Sequence, residues 1–346
     1  MSQGRYDAVL LVSFGGPEGP DDVLPFLENV TRGRSVPRER ILQVAEHYLA
    51  RGGVSPINAH NRDLLAAIRA DFDEHGLGLR VYWGNRNWHP YLADTLREMA
   101  DHGIVHVLAI VTSAYSSYSG CRQYREDLAA ARAQVGRRAP TVDKVRPFFD
   151  HPGLAGCFVD TTVAALGRLD DTIRDDARVL FSTHSLPLSM AETSGPGGGA
   201  YVAQHRAVAD AVARGVAQRT GRAYEWDLVF QSRSGTPSQP WLEPDVSDHL
   251  RVLADKGVPG VVVVPIGFVS DHIEVVHDLD SEAAAVASQI GLPFVRAATP
   301  GVHPMFVAMV RDLVLQRVEG RPDAWSCCQP HCCPNPRAPQ PVVAQC

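Results

Sequence analysis

The stretch VVVVPIGFVSDHIEVVHDLDSE, residues 261–282, decides the predicted fold of this chain. It opens with four valines and passes into a helical pattern, which is typical of a buried parallel strand that leads directly into a helix. In α/β proteins of this kind, ligands bind at the carboxyl ends of the strands. We therefore expect the residues that follow Val264 to carry the chemistry of the protein.

The helical part of this stretch is dense in titratable side chains. Glu274, Asp278 and Glu282 are spaced four residues apart and are expected to stack on one face of a helix. Like charges at this spacing repel each other, at a cost of roughly a few tenths of a kcal/mol per pair. The row therefore indicates a path for a cation, and the alternative interpretation is a solvated acidic face.

Composition excludes several classes of protein. The chain has 346 residues, of which 45% are hydrophobic and 21% are charged, as is ordinary for a globular enzyme. Its net charge of −6 and its lack of a Lys/Arg-rich run argue against nucleic-acid binding. No apolar run approaches the ~18 residues that span a bilayer, and the apolar start runs into Gly-Gly-Pro without a signal-peptide cleavage site. We expect a cytoplasmic monomer without integral membrane association.

Apolar runs bounded by turns recur along the chain, and amphipathic helical patterns such as residues 61–75 and 201–220 separate them. This alternation predicts a parallel sheet with helices on both faces. The predicted strands are AVLLVSF (8–14), LRVYWG (79–84), VHVLAIV (105–111), ARVLFST (177–183), WDLVFQS (226–232), VVVVPIG (261–267) and LPFVRAA (292–298).

An internal repeat refines this prediction. LREMADHGIVHVLAIVTSAYSS (96–117) and LRVLADKGVPGVVVVPIGFVSD (250–271) match without a gap at an offset of 154 residues. Two such units predict two similar Rossmann-like α/β lobes with a cleft bordered by the strand ends of both, although a chance resemblance is the alternative. We assign the lobes to residues 1–150 and 151–320, followed by a Cys-rich extension at 321–346.

His184 ends the strand that opens the second half, in the motif FSTHSLP (181–187). The topology puts it at the same sheet edge as Glu274. An imidazole and a carboxylate together can bind a divalent cation and accept protons. The alternative for a lone histidine at a strand end is a purely structural role.

Four motifs together resemble the ferrochelatase family: FSTHSLP, PIGFVSDHIEVVHDLD (265–280), LLVSFGGP (10–17) and GGVSPIN (52–58). The similarity covers about residues 6 to 320 and is strongest to the actinobacterial type that acts on coproporphyrin. The resemblance implies an enzyme of haem biosynthesis, a metal chelatase of the lyase class, which inserts Fe(II) into coproporphyrin III held in the cleft.

The resemblance also implies roles for the residues described above. His184 and Glu274 fall on the family's metal-inserting pair, and Asp278 and Glu282 fall on its acidic row, here interpreted as the Fe(II) path. Metallation removes two pyrrole protons, so a neutral base such as His184 is needed on the ring face. A site with few ligands and open positions suits delivery, because a closed cage would trap the iron.

The segment from residue 28 to residue 60, here called the lip, is predicted to cover the porphyrin. By resemblance Ser55 contacts the substrate there and Tyr124 contacts it further along the chain, and we expect Arg32 and Arg34 to bind propionates because guanidinium groups match carboxylates. A solvated basic loop is the alternative. Phe14 departs from the family pattern, because some members have a tyrosine at that position, which leaves the ligation of product iron open.

Five of the seven cysteines, Cys327, Cys328, Cys332, Cys333 and Cys346, lie in the last twenty residues. The segment WSCCQPHCCPNP (325–336) resembles the extension that carries a 2Fe–2S cluster in part of the family, with an internal ligand at the position of Cys157. The implied ligands are Cys157, Cys327, Cys332 and Cys333, with Cys328 as a substitute for Cys327 and zinc as the alternative metal. Cys121 is interpreted as a buried small hydrophobe.

Other functions remain open at this stage: a protoporphyrin IX ferrochelatase, a chelatase that inserts cobalt or nickel into a reduced tetrapyrrole, or a non-catalytic haem-binding or iron–sulfur redox protein. Retention of both His184 and Glu274 argues against the last. The basic segment NVTRGRSVPRER (29–40) favours the tetracarboxylate coproporphyrin III over protoporphyrin IX.

Overall fold

The chain folds around two four-stranded parallel sheets. A computed structural model describes residues 6–33, 36–234, 239–321, 328 and 331–344. The strand order is β2-β1-β3-β4 in the first sheet and β6-β5-β7-β8 in the second, so both sheets share one topology. The predicted α/β architecture with two Rossmann-like lobes is therefore confirmed.

The first lobe is built on β1, which lies between β2 and β3 and places Ser13 opposite Asn85. A π-helical turn, Tyr118–Arg122, leads directly into the helix that follows β3. The elements in chain order are β1 (Ala8–Ser13), α1 (Val23–Val30), α2 (Arg38–Leu49), α3 (Ile57–Glu74), β2 (Arg80–Asn85), α4 (Leu92–Asp101), β3 (His106–Val111), α5 (Gln123–Val135) and β4 (Thr141–Lys144).

The second lobe is built in the same way on β5, which lies between β6 and β7. A second π-helical turn, Asp278–Ala283, links α11 to α12. The elements are α6 (Pro152–Leu166), α7 (Asp171–Arg174), β5 (Arg178–His184), α8 (Leu188–Glu192), α9 (Ala200–Thr220), β6 (Trp226–Gln231), α10 (Val246–Asp255), β7 (Val261–Val264), α11 (Ile273–His277), α12 (Ala284–Gln289), β8 (Phe294–Arg296) and α13 (Pro304–Val318). Of the helices in the described ranges, none is long and apolar enough to cross a membrane.

The internal repeat has a structural counterpart. Helices α4 and α10 begin and end 154 residues apart, the offset of the sequence match. Each is followed by a glycine in the left-handed region, Gly103 and Gly257, both with φ of 75°. The sequence patterns missed only β4, because Thr141–Lys144 is short, polar and without an apolar run.

The two lobes pack against each other. One hydrophobic core contains strand residues of both sheets, including Ile110 and Phe181. The Tyr115 hydroxyl donates a hydrogen bond to the Ile266 carbonyl at 2.8 Å, and α13 packs on both α6 and α3. The strand ends of both lobes therefore border one cleft, while the domain limits at residues 150 and 320 remain our proposal.

Residues 331–344 of the extension return to the first lobe. Ala344 pairs with Asp143 of β4, and the Lys144 amide donates to the Ala344 carbonyl at 2.8 Å. The Arg125 guanidinium donates to the Val343 carbonyl, also at 2.8 Å, and the Val343 side chain is buried in the core of this lobe. The extension is therefore anchored a second time, after Cys333.

Candidate active site

A cavity of about 1470 Å³ opens between the lobes. Its lining includes the residues that end or follow parallel strands of both sheets: Phe14 after β1, Thr112 after β3, His184 at the end of β5, and Phe268 after β7. Cavities for drug-sized ligands measure about 300–1,000 Å³. This one therefore has room for a larger ligand, of the size of a macrocycle.

His184 and Glu274 meet in this cavity, as their positions at neighbouring strand ends predict. His184 Nε2 lies 3.7 Å from Glu274 Oε2, and both side chains remain partly exposed to the cavity. The Nδ1 atom of His184 hydrogen-bonds to the Ser185 carbonyl, which only a protonated Nδ1 can do. The neutral imidazole therefore carries its lone pair on Nε2, next to the carboxylate.

A buried network fixes the end of β5. The Thr183 hydroxyl lies 2.9 Å from the Tyr201 hydroxyl and 2.8 Å from His205 Nε2. Tyr201 also donates to the His184 carbonyl at 2.8 Å. Burial lowers the pKa of His205 to about 3, so this ring is neutral at physiological pH. The sequence analysis did not single out Tyr201 and His205. Their spacing of one helical turn on the apolar face of α9 could have indicated a buried polar pair.

The acidic row departs from the predicted straight helix. In a π-helical turn a residue bonds to its fifth neighbour rather than its fourth, so Glu274, Asp278 and Glu282 are not spaced along one regular α-helix. Glu282 instead lies beside the residue five positions earlier, with its Oε1 atom 3.2 Å from His277 Nε2. The row is therefore not a straight stack on a regular helix, although the ligand atoms of Asp278 and Glu282 still lie within 4.8 Å of each other.

His277, Asp278 and Glu282 form a candidate cation site. Each offers one ligand atom, and these atoms lie within 4.8 Å of one another. Asp278 accepts hydrogen bonds from Gln231 Nε2 at 3.3 Å and from the Ser232 hydroxyl. Burial raises the pKa of Asp278 to about 7 despite these bonds, with Glu274 and Glu282 adding to the effect. Asp278 and Glu282, which were predicted to lie on the Fe(II) path, are thus adjacent, and His277 lies beside them.

The lip closes onto this group through α2. The His47 ring stacks on the His277 ring with centroids 4.0 Å apart, and Arg51 donates to the Val276 carbonyl. Burial, with a contribution from His277, lowers the pKa of His47. His47 is a site residue that the sequence patterns did not single out.

The predicted substrate residues line the first-lobe side of the cavity. Ser55, which is 3% exposed, lines it. Arg32 and Tyr124 also line it, whereas Arg34 falls outside the described residues.

Arg86, which follows β2, completes this wall. Its guanidinium lies 4.7 Å from the centre of the Tyr124 ring and 5.6 Å from that of Phe14, and its Nε atom lies 3.0 Å from Asp127. The sequence analysis did not single out Arg86, although its position in a polar run directly after an apolar strand could have identified it.

The cysteines do not group as the family resemblance implies. The structure brings the tail thiols to Cys121 in the first π-helical turn: Cys328 contacts both Cys121 and Cys332, and Cys332 Sγ lies 3.7 Å from Cys333 Sγ. Cys157 lies in α6, where its thiol bonds to the Gly153 carbonyl at 3.0 Å, and burial raises its pKa to about 12. Cys121, rather than Cys157, is thus the internal cysteine beside the tail thiols in the part of the chain that the structure describes, which does not include Cys327.

Solved structures with a similar architecture define the fold. Sirohydrochlorin chelatase SirB from Bacillus subtilis subspecies spizizenii, in complex with cobalt, aligns with a TM-score of 0.52 at 11% identity, over 91% of this chain and 96% of that one. A multi-domain protein from Deinococcus radiodurans with structural similarity to chelatases aligns with a TM-score of 0.52 at 17% identity, over 92% of this chain and 56% of that one. The architecture is thus the two-lobed fold of chelatases.

Sequence comparisons identify the family within that class. The ferrochelatase family profile matches residues 6–318. A relative in Streptomyces coelicolor, named coproporphyrin III ferrochelatase, is 55% identical over 99% of this chain and 97% of the relative. A relative of the same name in Nocardia farcinica is 54% identical over 91% of this chain and 89% of the relative. A relative named ferrochelatase in Rhodopirellula baltica is 52% identical, over 90% and 86%. The chain belongs to the ferrochelatase family.

Proposed function

We propose that this protein is a coproporphyrin III ferrochelatase, a metal chelatase that inserts Fe(II) into coproporphyrin III to give Fe-coproporphyrin III in haem biosynthesis. The observation that carries the proposal is the pair in the cavity lining, with His184 Nε2 3.7 Å from Glu274 Oε2. The names of the relatives in Streptomyces coelicolor and Nocardia farcinica support the choice of substrate.

The geometry supports a defined division of labour. With Nδ1 held by the Ser185 carbonyl, His184 presents a neutral Nε2 that accepts the pyrrole protons as the metal enters the ring. The Glu274 carboxylate, 3.7 Å away, stabilises the imidazolium that forms and receives its proton. The reacting iron is a substrate, and a single imidazole with a single carboxylate holds it weakly enough to release it.

We assign delivery of Fe(II) to His277, Asp278 and Glu282, whose ligand atoms lie within 4.8 Å of one another. This group offers an imidazole and two carboxylates, a donor set suited to a divalent first-row metal. Glu274 lies one helical turn before Asp278, between this group and His184. Glu274 is therefore the next carboxylate that iron meets between the group and His184.

We further propose that the tail thiols hold a 2Fe–2S cluster, with Cys121, Cys328, Cys332 and Cys333 as ligands. Four thiols in a series of contacts fit a four-thiolate site. The Gly195 amide donates to Cys333 Sγ at 3.1 Å, a bond of the kind that stabilises ligand sulfur in such clusters. When bound, the cluster would tie the tail to the first lobe; zinc is the alternative metal for the same donors.

Anaerobic purification tests the cluster. We expect a reddish-brown protein with about two iron and two sulfide ions per chain, as a 2Fe–2S cluster requires. Cys121→Ser should lose this absorption and Cys157→Ser should keep it. A colourless protein with stoichiometric zinc would show that the thiols bind zinc instead of a cluster. Loss of colour only in the Cys157 variant would show that Cys157 is the internal ligand, as the family resemblance implies.

Anaerobic metallation tests the main proposal. Fe(II) is offered with either coproporphyrin III or protoporphyrin IX under identical conditions, and insertion is followed by absorbance. We expect kcat/KM to favour coproporphyrin III by at least about tenfold, since each additional carboxylate contact contributes about 1–3 kcal/mol. Equal values or a preference for protoporphyrin IX would refute the substrate, and no insertion into either would refute the reaction. Cytoplasmic location and a monomeric state remain predictions.

A further inference from the structure

We propose that residues 335–341 of the extension form the outer wall of the substrate cavity, and that Arg337 binds a propionate carboxylate of the substrate. The inference rests on the proposed function, because it names a partner for a carboxylate of coproporphyrin III. Residues 335–338, 340 and 341 all line the same cavity as His184 and Glu274. The chain thus contributes its own C-terminal segment to the site.

This wall is held at both ends. Before it, Cys332 and Cys333 are buried, at 4% and 2% exposure. After it, Val343 is buried in the core of the first lobe and its carbonyl is bound by Arg125. At its start, Asn335 Nδ2 donates to Glu126 Oε2 at 2.9 Å. The segment between these anchors therefore has a defined path along the mouth of the cavity.

Arg337 joins the wall to the lip. Its Nη1 atom donates to the Gly33 carbonyl at 3.1 Å, and its backbone amide donates to Asn335 Oδ1 at 3.0 Å. Its guanidinium also hydrogen-bonds to the Tyr118 hydroxyl. Gly33 directly follows Arg32, another residue of the cavity lining. Two guanidinium groups, one from the lip and one from the extension, therefore flank the mouth.

The charge balance of the lining favours an anionic ligand at this point. The guanidinium of Arg86 is paired with Asp127 at 3.0 Å, and Glu126 is paired with Arg122 at 3.1 Å. Within the described part of the chain, Arg32 and Arg337 have no carboxylate ion-pair partner. A guanidinium has five N–H donors, so the contacts of Arg337 to Gly33 and Tyr118 leave donors for a substrate carboxylate.

The location of Arg337 also gives the thiol group a function. Only three residues separate Cys333 from Arg337, so the thiol site sets the position of this guanidinium. Loss of the bound metal should then weaken binding of the porphyrin without acting on proton transfer at His184. The extension would couple the thiol site to substrate affinity rather than to the chemical step.

The test compares Arg337→Gln with the control Arg321→Gln. Arg321 is an exposed arginine outside the cavity lining, and among the described residues its one ion-pair partner is the exposed Glu319. Quenching of porphyrin fluorescence without metal gives Kd, and anaerobic metallation gives kcat and KM for both porphyrins. We expect Arg337→Gln to raise Kd and KM for coproporphyrin III about tenfold, with kcat within about twofold and little change for protoporphyrin IX. Arg337→Lys should recover part of the affinity.

The outcomes separate this inference from the proposed function. If wild-type protein fails to metallate coproporphyrin III, the proposed function fails before any variant is measured. If wild-type protein does so and Arg337→Gln behaves like Arg321→Gln, the carboxylate contact is refuted. An equal loss of affinity for both porphyrins, accompanied by a lower melting temperature, would show that Arg337 only holds the tail against the lip. This result would also refute the carboxylate contact.

Discussion

The two lobes share one sheet topology but end their strands differently. In the first lobe, Ser13 at the end of β1 accepts a hydrogen bond from Asn61 at 2.8 Å, and Asn85 at the end of β2 donates to Asn58 at 3.1 Å. In the second lobe, β5 ends in His184. Neutral amides and hydroxyls bind without exchanging protons, whereas an imidazole beside a carboxylate does exchange them. Under the proposed function, the strand ends of the first lobe serve binding and those of the second lobe serve the chemical step.

The π-helical turns extend this comparison. Each lobe has one after its third strand, Tyr118–Arg122 in the first and Asp278–Ala283 in the second. Turns of this kind are rare and occur mostly at functional sites. The first carries Cys121 toward the tail, and the second carries Asp278 toward the metal-inserting pair. Under the proposed function, the same local distortion serves a thiol site in one lobe and metal delivery in the other.

The largest effect is expected at the second-lobe strand end. His184→Ala should lower kcat about a thousandfold, within the range of general-base catalysis, while porphyrin Kd stays within about twofold. Anaerobic single-turnover metallation and fluorescence titration measure the two quantities. His106→Ala, at the opposite end of β3, is the matched control. Near-normal turnover of His184→Ala would break the division between a binding lobe and a chemical lobe.

A smaller effect is expected at the second π-helical turn. Asp278→Asn should raise the KM for Fe(II) about tenfold, because an amide is a poorer ligand for a divalent metal than a carboxylate. Porphyrin Kd should not change. Initial rates over a series of Fe(II) concentrations give the KM for Fe(II) of the wild type and the variant. An unchanged KM for Fe(II) would remove this turn from the delivery path and leave it a structural feature, like its counterpart.

A change on the first-lobe side should affect binding alone. Ser55→Ala is expected to raise the KM for coproporphyrin III about three- to tenfold, the value of one hydrogen bond, with kcat preserved. Steady-state kinetics at saturating Fe(II) measure both constants. A loss of kcat with an unchanged KM would show that the first lobe also takes part in the chemical step.

The smallest effect at neutral pH concerns the buried network beneath β5. The pKa of His205 is lowered by burial from 6.5 to about 3, so only the unfolded chain binds this proton between those values. Its contribution to the free energy of unfolding is complete above about pH 6.5 and is lost as the pH falls toward 3; at pH 5 the loss is about 2 kcal/mol.

Urea unfolding at pH 7 and pH 5 measures this loss. His205→Gln should be less stable than wild type at pH 7 and should show a smaller decrease between the two pH values. Equal decreases in wild type and variant would mean that the ring is not held in its neutral form. In that case the second-lobe network would add no pH dependence to the free energy of unfolding and would not differ in this respect from the first-lobe amides.

Much of the fold and part of the site follow from sequence. Apolar runs predicted seven of the eight strands in the described ranges, and the repeat predicted matching units in both lobes. The meeting of His184 with Glu274 was predictable because parallel strands in one sheet end at the same edge. These inferences needed only local periodicity and a topological rule, and neither depends on the packing of distant residues.

Tertiary structure alone decided the rest. The π-helical turn brought His277 to Glu282 in place of a straight carboxylate row, because hydrogen bonding to the fifth neighbour depends on the surrounding packing. The pairing of the tail with Cys121, and the contact of Arg337 with Gly33 across 304 residues, depend on where the chain returns after α13. No local pattern encodes that return, since it is set by the shape of the surface that the two lobes present together.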